Sequence, residues 1–211
     1  MIISHNSERY KSKIHRNGAY WYSYEIVNRI IPEIKTDRNW VTINTGECVD
    51  HSIVFIHNNL DASLYDYLRP YKDLILVCGI PQTMKKVCHL GRPIYIPLSV
   101  DVGYVEQFKK ETKTKEYAYV GRMNKRLRYM FPQGTDYLEN LERDELLTRV
   151  ADYKYVFAVG RCAIESMILG CEVVAYDVRF RDTDLWKIRD NLDVVPLLQN
   201  QLDMIDGRGK R

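Results

Sequence analysis

Short apolar runs rich in β-branched and aromatic residues alternate along this chain with segments of helical periodicity. This alternation is typical of parallel sheets, because a strand can pair in parallel with the next one only after a crossover connection, usually a helix. The apolar runs predict seven strands, over residues 40–44, 52–56, 74–78, 94–96, 117–120, 155–159 and 172–176. Most of these runs are apolar throughout, as expected for strands buried on both faces.

The segments between the runs predict helices over residues 20–34, 62–68, 82–90, 102–109, 143–152, 161–169 and 183–191. We therefore expect an α/β fold of two small Rossmann-like lobes with parallel sheets and a cleft between them. A polar and mostly basic stretch at 109–115 suggests the boundary, which gives an N-terminal lobe of 1–108 and a C-terminal lobe of 109–211. Ligands of such folds bind beyond the carboxyl ends of the strands.

Composition excludes several other classes of protein. The chain has 211 residues, 45% of them apolar and 28% charged, which is typical of a globular protein rather than a disordered one. No apolar run approaches the length of a membrane span, and the first thirteen residues are too polar for a secretory leader, so we expect a cytoplasmic protein. Five cysteines without a CxxC pair predict reduced thiols rather than disulfides or a zinc site. The oligomeric state stays open.

The segment from Tyr155 to Asp177 is the most informative motif. Its predicted strand turns at Gly160 into a short helix, whose first turn offers unpaired N–H groups and a partial positive charge to a diphosphate. Arg161 is placed to pair with a phosphate, and Glu165, one turn later, to accept hydrogen bonds from ribose hydroxyls. The alternative is a surface Arg161–Glu165 pair, which would contribute about 0.2–0.5 kcal/mol.

A second motif follows the strand predicted over 117–120. That strand ends at Gly121, and Arg122 and Lys125 come directly after it. Guanidinium and ammonium groups at a strand end suit a leaving diphosphate, whose negative charge grows as its bond to the sugar breaks. A basic loop after a strand is common, however. This motif therefore indicates a diphosphate site only in combination with the first motif.

The two motifs together resemble the nucleotide-sugar half of GT-B glycosyltransferases, particularly the retaining family-four type. The resemblance is carried by Tyr119-Val-Gly-Arg-Met-Asn-Lys125 and by Arg161-Cys-Ala-Ile-Glu-Ser-Met-Ile-Leu-Gly-Cys-Glu-Val-Val-Ala175. Upstream, Ile94-Tyr-Ile-Pro-Leu-Ser-Val-Asp101 with Phe108 is similar to the phrase that closes the family's first lobe. Arg16-Asn-Gly-Ala19 resembles the family's first glycine loop, and Phe55-Ile-His57 a strand end that presents a histidine to the sugar.

The resemblance implies a glycosyltransferase that takes a nucleotide-diphosphate sugar as donor and needs neither a cofactor nor a metal. The N-terminal lobe would bind the acceptor and the C-terminal lobe the donor. The implied catalytic residues are His57, Arg122 and Lys125, and the implied substrate-binding residues are Gly18, Gly121, Gly160, Arg161 and Glu165. One family acid is absent, because Phe157 stands eight residues before Glu165, where that acid is expected. Retention of anomeric configuration is implied by the family alone.

Two other functions fit the same residues. With Phe157 at the acid position, the chain could be a non-catalytic protein of this fold that binds a nucleotide or a sugar phosphate. The stretch 109–128 carries eight basic residues against two acids, which would also suit a nucleic-acid-binding protein or a transferase that modifies DNA. The acceptor, whether a saccharide, a protein or DNA, is not identified. Asp182-Thr-Asp184 spells a metal-binding pattern, but it precedes a helical segment and is better explained by helix capping.

Overall fold

The computed structural model describes residues 18–42, 48–56, 66–121, 130–176 and 183–208. By its internal contacts the chain divides into two compact units. Among the described residues, the first unit contains 19–97 together with the C-terminal segment from Asn191, and the second contains Gly18 and 98–190. The predicted ranges, 1–108 and 109–211, therefore differ from the observed units in three places, the first being Gly18, which is grouped with the second unit. Residues 98–108 lie with the second sheet, and the C-terminal segment lies with the first.

The first unit holds a four-stranded parallel sheet in the order β1-β2-β3-β4. Its strands are β1 (Asn39–Thr42), β2 (Ser52–Ile56), β3 (Ile75–Cys78) and β4 (Arg92–Tyr95). Every residue of β2 and β3 is buried, as expected for central strands covered on both faces. The hydrophobic core includes Val54 of β2, Leu76 of β3 and Leu68, each no more than 1% exposed.

Helices of this unit include the following three, and of the helix predicted over 62–68 the described part, 66–68, is helical. The first is α1 (Gly18–Glu25), which continues as a π-helical turn (Ile26–Ile30) and a 3-10 turn (Ile31–Glu33) and matches the predicted helix over 20–34. The second is α2 (Pro81–Val87), which begins with proline at its first turn. The third, α6 (Val195–Ile205), was not predicted; it packs through Leu198 and Leu202, both fully buried, and follows a short 3-10 turn (Leu192–Val194).

The second unit holds another four-stranded parallel sheet, in the order β6-β5-β7-β8. Its strands are β5 (Lys115–Val120), β6 (Asp136–Leu138), β7 (Tyr153–Phe157) and β8 (Glu172–Val174). Strand β6 was not predicted from the sequence. This strand has three residues and begins with an exposed aspartate, so it has no apolar run by which it could be recognised.

Helices α3 (Val102–Glu106), α4 (Arg143–Val150) and α5 (Arg161–Ile168) complete the second unit. Asp101 caps α3, because its carboxylate accepts a hydrogen bond from the backbone N–H of Tyr104 at 3.0 Å. Helices α4 and α5 pack against each other and against β7. The helix predicted over 183–191 is much shorter than expected, since the second unit contains there a 3-10 turn, Thr183–Trp186.

The predicted α/β class is confirmed. Two four-stranded parallel sheets with associated helices are compatible with two Rossmann-like lobes. The cleft between the lobes and the assignment of acceptor and donor to them stay predictions. Within the described ranges, no helix is both long enough and apolar enough to cross a membrane.

Candidate functional site

The strand order of the second sheet reverses between β5 and β7. From β5 the chain moves to β6 on one side and then to β7 on the other, whereas the described strands of the first sheet follow chain order. Tyr119 on β5 lies opposite Phe157 on β7 in parallel register. Gly121 and Gly160, which follow these strands, are therefore at the same edge of the sheet. The carboxyl edge at such a reversal is the usual ligand-binding position in open α/β sheets.

Gly160 forms the turn from β7 into α5. Its backbone has φ 62° and ψ −138°, a combination that residues with a Cβ rarely adopt. As the N-cap residue it carries no side chain that could accept a hydrogen bond from the first turn of α5, while its carbonyl oxygen accepts from the N–H of Ala163 at 3.1 Å. The sequence prediction that a glycine turn opens this helix is confirmed. The start of α5 thus presents the positive end of the helix dipole at the carboxyl edge of the sheet.

Arg161 is the first residue of α5, and its side chain is only 10% exposed. Its Nε donates a hydrogen bond to the carbonyl oxygen of Ser99 at 2.9 Å. Ser99 belongs to the segment between β4 and α3, within the motif Ile94–Asp101. The guanidinium is therefore held at the edge of the sheet by contacts within the second unit.

Glu165 is buried one turn after Arg161. Its Oε1 accepts a hydrogen bond from Nη2 of Arg143 at 2.7 Å and lies 3.7 Å from Nη2 of Arg161. The Arg161–Glu165 pair considered as a surface contact is thus present, but it is buried and shared with a second arginine. Whether Glu165 contacts a ribose stays a prediction.

Arg143 was not among the predicted site residues. It occupies the first position of α4, where a positive charge is unfavourable because the N-terminal end of a helix is itself partly positive. The only sequence signal was this unfavourable charge in a first turn, which does not by itself indicate where a partner lies. The partner, Glu165, lies 22 residues further along the chain and on another helix, so the sequence alone could not identify it.

Gly121 is surrounded by tyrosine hydroxyls. It has φ 146°, and a Cβ at this position would lie 3.1 Å from the hydroxyl oxygen of Tyr176 and 3.2 Å from that of Tyr119. Burial raises the pKa of the Tyr119 hydroxyl, which is also hydrogen-bonded to the side chain of Tyr176. The positive φ and the two close hydroxyls together favour glycine at 121, whether or not a ligand approaches its backbone.

Aromatic rings occupy one face of the second sheet. Tyr117 and Tyr155 are register partners whose rings stack at 5.4 Å, and the ring of Phe157 lies 4.8 Å from that of Phe131. Tyr119 continues this ring cluster, at 5.0 Å from Phe131. Phe157, where the resemblance implies an acid, thus packs among aromatic neighbours.

Part of the predicted basic stretch forms intramolecular contacts. Nζ of Lys110 lies 2.6 Å from a carboxylate oxygen of Asp152, and Nζ of Lys113 donates to the backbone carbonyls of Ala151 and Leu169. Lys115 donates to Asp136 at 3.4 Å and to the hydroxyl of Tyr153 at 3.2 Å. These three lysines therefore have partners within the second unit, which reduces the number of charges in the stretch that are left for nucleic acid.

Several predicted site residues lie outside the described ranges: His57, Arg122 and Lys125, together with the capping residue Asp182. Gly18 is the first residue of α1. The described structure brings together Gly121, Gly160, Arg161 and Glu165 in the second unit, and it adds Arg143 and Ser99 to them.

A scan against models of known protein families finds no match to this chain, and a search of curated proteins finds no similar sequence. The candidate function therefore depends on the site itself and on the sequence motifs.

Proposed function

We propose that the protein is a glycosyltransferase that moves a sugar from a nucleotide-diphosphate donor to an acceptor without a metal ion. The proposal combines the GT-B-like motifs with one structural observation: β5 and β7, each followed by a glycine turn, are neighbours at the reversal of the second sheet. This edge is where a doubly wound sheet binds phosphate-bearing ligands. The second unit would accordingly hold the donor.

In this proposal the positive charges near the reversal stabilise the departing diphosphate. Arg122 and Lys125 follow Gly121 in the sequence, and the start of α5 at Gly160 and Arg161 adds N–H donors and a partial positive charge. Such groups lower the barrier if they interact more strongly with the charge that develops than with the intact donor. Arg122 and Lys125 are the residues proposed to act directly on the reacting diphosphate.

Glu165 would accept hydrogen bonds from the ribose hydroxyls of the nucleotide. His57, which follows β2 of the first sheet, would lie near the transferred sugar, and Gly18 would belong to the glycine loop before α1. A histidine suits this position because its pKa in proteins lies near neutrality, so it can hydrogen-bond a sugar hydroxyl or move a proton.

A thermal-shift series tests the proposal. Wild type is melted with UDP, GDP and ADP and with their sugar conjugates, and at least one of them is expected to raise the melting temperature because it binds the folded state alone. Arg122→Ala is expected to abolish the shift. Lys154→Ala is the matched control, since Lys154 is an exposed cation near the start of β7, at the opposite end of the strand from Gly160. Melting curves unchanged across the whole series would refute nucleotide binding.

A non-catalytic binding protein is the second candidate, and Phe157 favours it. An acid is expected at this position in the family, yet here the side chain packs against Phe131. Mass spectrometry of a donor incubated with the protein separates the two functions. A transferase slowly hydrolyses its donor when no acceptor is present, whereas a binding protein returns it intact. Arg122→Ala serves as the control for hydrolysis by a contaminant.

A further inference from the structure

The ion pair between Arg143 and Glu165 joins two helices inside the second unit. Nη2 of Arg143 on α4 lies 2.7 Å from Oε1 of Glu165 on α5, and both side chains are at most 5% exposed. A carboxylate that is removed from water needs compensation by a positive charge and by hydrogen bonds. Arg143 supplies the positive charge and also donates a hydrogen bond, at 2.7 Å, whereas Arg161 lies 3.7 Å from the same oxygen.

The two oxygens of Glu165 differ in their surroundings. Among the described residues, the contacts of this carboxylate with Arg143 and with Arg161 both use Oε1. Oε2 accepts no hydrogen bond from the described part of the chain. One oxygen is thus held by protein donors, and the other keeps its capacity to accept hydrogen bonds.

A guanidinium that holds one carboxylate oxygen restricts the rotation of the whole group. Arg143 is itself set in place by the backbone of α4, which packs against α5. The orientation of Oε2 therefore depends on the contact that Arg143 makes with Oε1. Such positioning matters because hydrogen bonds to a charged acceptor are both strong and directional.

We propose that Arg143 is a positioning residue that fixes Glu165 so that Oε2 accepts hydrogen bonds from the ribose hydroxyls, which makes the site selective for ribonucleotides over 2′-deoxyribonucleotides. This inference rests on the proposed function, because it assumes a nucleotide in the second unit. It adds a residue that the sequence motifs do not contain and a class of ligand that the site should reject.

The test measures the preference for ribose, not affinity alone. Calorimetric titrations compare UDP with 2′-deoxy-UDP, and likewise GDP and ADP with their 2′-deoxy forms, for whichever base binds wild type. Loss of one hydrogen bond to a charged group corresponds to about tenfold or more in affinity, so wild type should prefer the ribonucleotide by at least that factor. Arg143→Lys keeps the charge but loses the planar fork of donors, and it should reduce the preference at least threefold.

Two further variants separate positioning from a structural role. Arg143→Lys in a Glu165→Gln background should cause no additional loss of preference, because Arg143 acts through Glu165. Arg149→Lys is the matched control, since Arg149 lies on the same helix in an exposed pair with Glu145 and should leave the preference unchanged. Circular dichroism establishes that each variant is folded, and the conservative change to lysine limits the cost of altering a buried pair.

Each outcome decides a different point. If wild type binds none of the nucleotides, the proposed function fails and this inference fails with it. If wild type binds ribo- and deoxyribonucleotides equally, or if Arg143→Lys weakens both to the same extent, the nucleotide site stands but the positioning role is overturned. A reduced preference in Arg143→Lys, absent from Arg149→Lys, supports the inference.

Discussion

Tyr119 on β5 and Phe157 on β7 are register partners in a parallel pair of strands. Because side chains of register partners lie on the same face, both rings join the aromatic cluster around Phe131. The same register places the glycine turn after each strand at one edge of the sheet, where the order of strands reverses. The packing of one sheet face and the position of the candidate site thus depend on the same pairing.

Gly160→Ala is expected to destabilise the protein by about 1–3 kcal/mol, because alanine at φ 62° and ψ −138° is strained. Urea unfolding measures the change. Gly103→Ala is the control: Gly103 lies inside α3, has ordinary helical geometry, and its added Cβ would come no closer than 3.9 Å to a neighbour. That substitution should stabilise by about 0.5–1 kcal/mol, as alanine usually does in a helix. Equal effects of the two variants would contradict the strained turn.

The sequence predicted most closely the elements with a strong local pattern. Strand β2 was predicted with its observed bounds, since it is an apolar run with every residue buried. Strand β6 was missed because three residues beginning with an aspartate carry no such pattern. Helix α6 was missed although its fully buried residues, Leu198 and Leu202, have helical spacing. Its contacts lie with the first unit, which a division based on chain order could not anticipate.

The candidate site was predictable to a similar degree. The glycine turn at Gly160 followed from local sequence, because a strand, a glycine and an amphipathic segment come in succession. The burial of Glu165 did not, since it depends on Arg143 from another helix. The packing around Gly121 also involves Tyr176, which follows β8 and lies far from Gly121 in the sequence. The motif around Gly121 therefore could not indicate it.

Phe157→Glu, which places an acid where the GT-B resemblance implies one, is expected to destabilise the protein by about 1–3 kcal/mol, because Phe157 is partly buried. The substitution removes ring contacts to Phe131 and Tyr117 and places a carboxylate among apolar neighbours. Val174→Glu is the control, because Val174 is the register partner of Phe157 on β8 and is 39% exposed, so its cost should stay below about 1 kcal/mol. A Phe157→Glu variant as stable as wild type would show that the ring cluster leaves room for the acid.

Cysteine reactivity is expected to be confined to one thiol in the folded protein. Cys88 is exposed, whereas Cys48, Cys78 and Cys171 are buried. Burial raises the pKa of the Cys78 thiol and of the Cys162 thiol to about 12, which leaves little reactive thiolate at pH 8. Titration with Ellman's reagent should show one fast thiol, which Cys88→Ser removes, and all five after unfolding in guanidinium. A fast phase that persists in Cys88→Ser would contradict this assignment.

The end of α6 is fixed to the first unit by an ion pair whose strength should depend on pH. The Oδ1 of Asp206 accepts hydrogen bonds from Nε of Arg38 at 3.1 Å and from Nη2 at 2.9 Å. Burial acts to raise the pKa of the Asp206 carboxyl, but the hydrogen bonds from Arg38 and Arg208 outweigh it and hold that pKa below its ordinary value. A carboxyl with a lowered pKa in the folded state stabilises the protein only where it is ionised.

Asp206→Asn is therefore expected to lower the free energy of unfolding by about 1–3 kcal/mol at pH 7. The difference from wild type should stay constant down to the ordinary aspartate pKa of about 3.9 and shrink as the pH falls below it, because the carboxyl is then protonated in the unfolded chain while the folded protein still holds it ionised. Urea unfolding between pH 7 and pH 3 measures this difference. Asp66→Asn is the control, since its pair with Arg69 is 70% exposed on both sides and should contribute less than about 0.5 kcal/mol at any pH. If the difference in unfolding free energy between Asp206→Asn and wild type is unchanged at the lowest pH, the contribution of the Arg38 contact does not depend on the charge of Asp206.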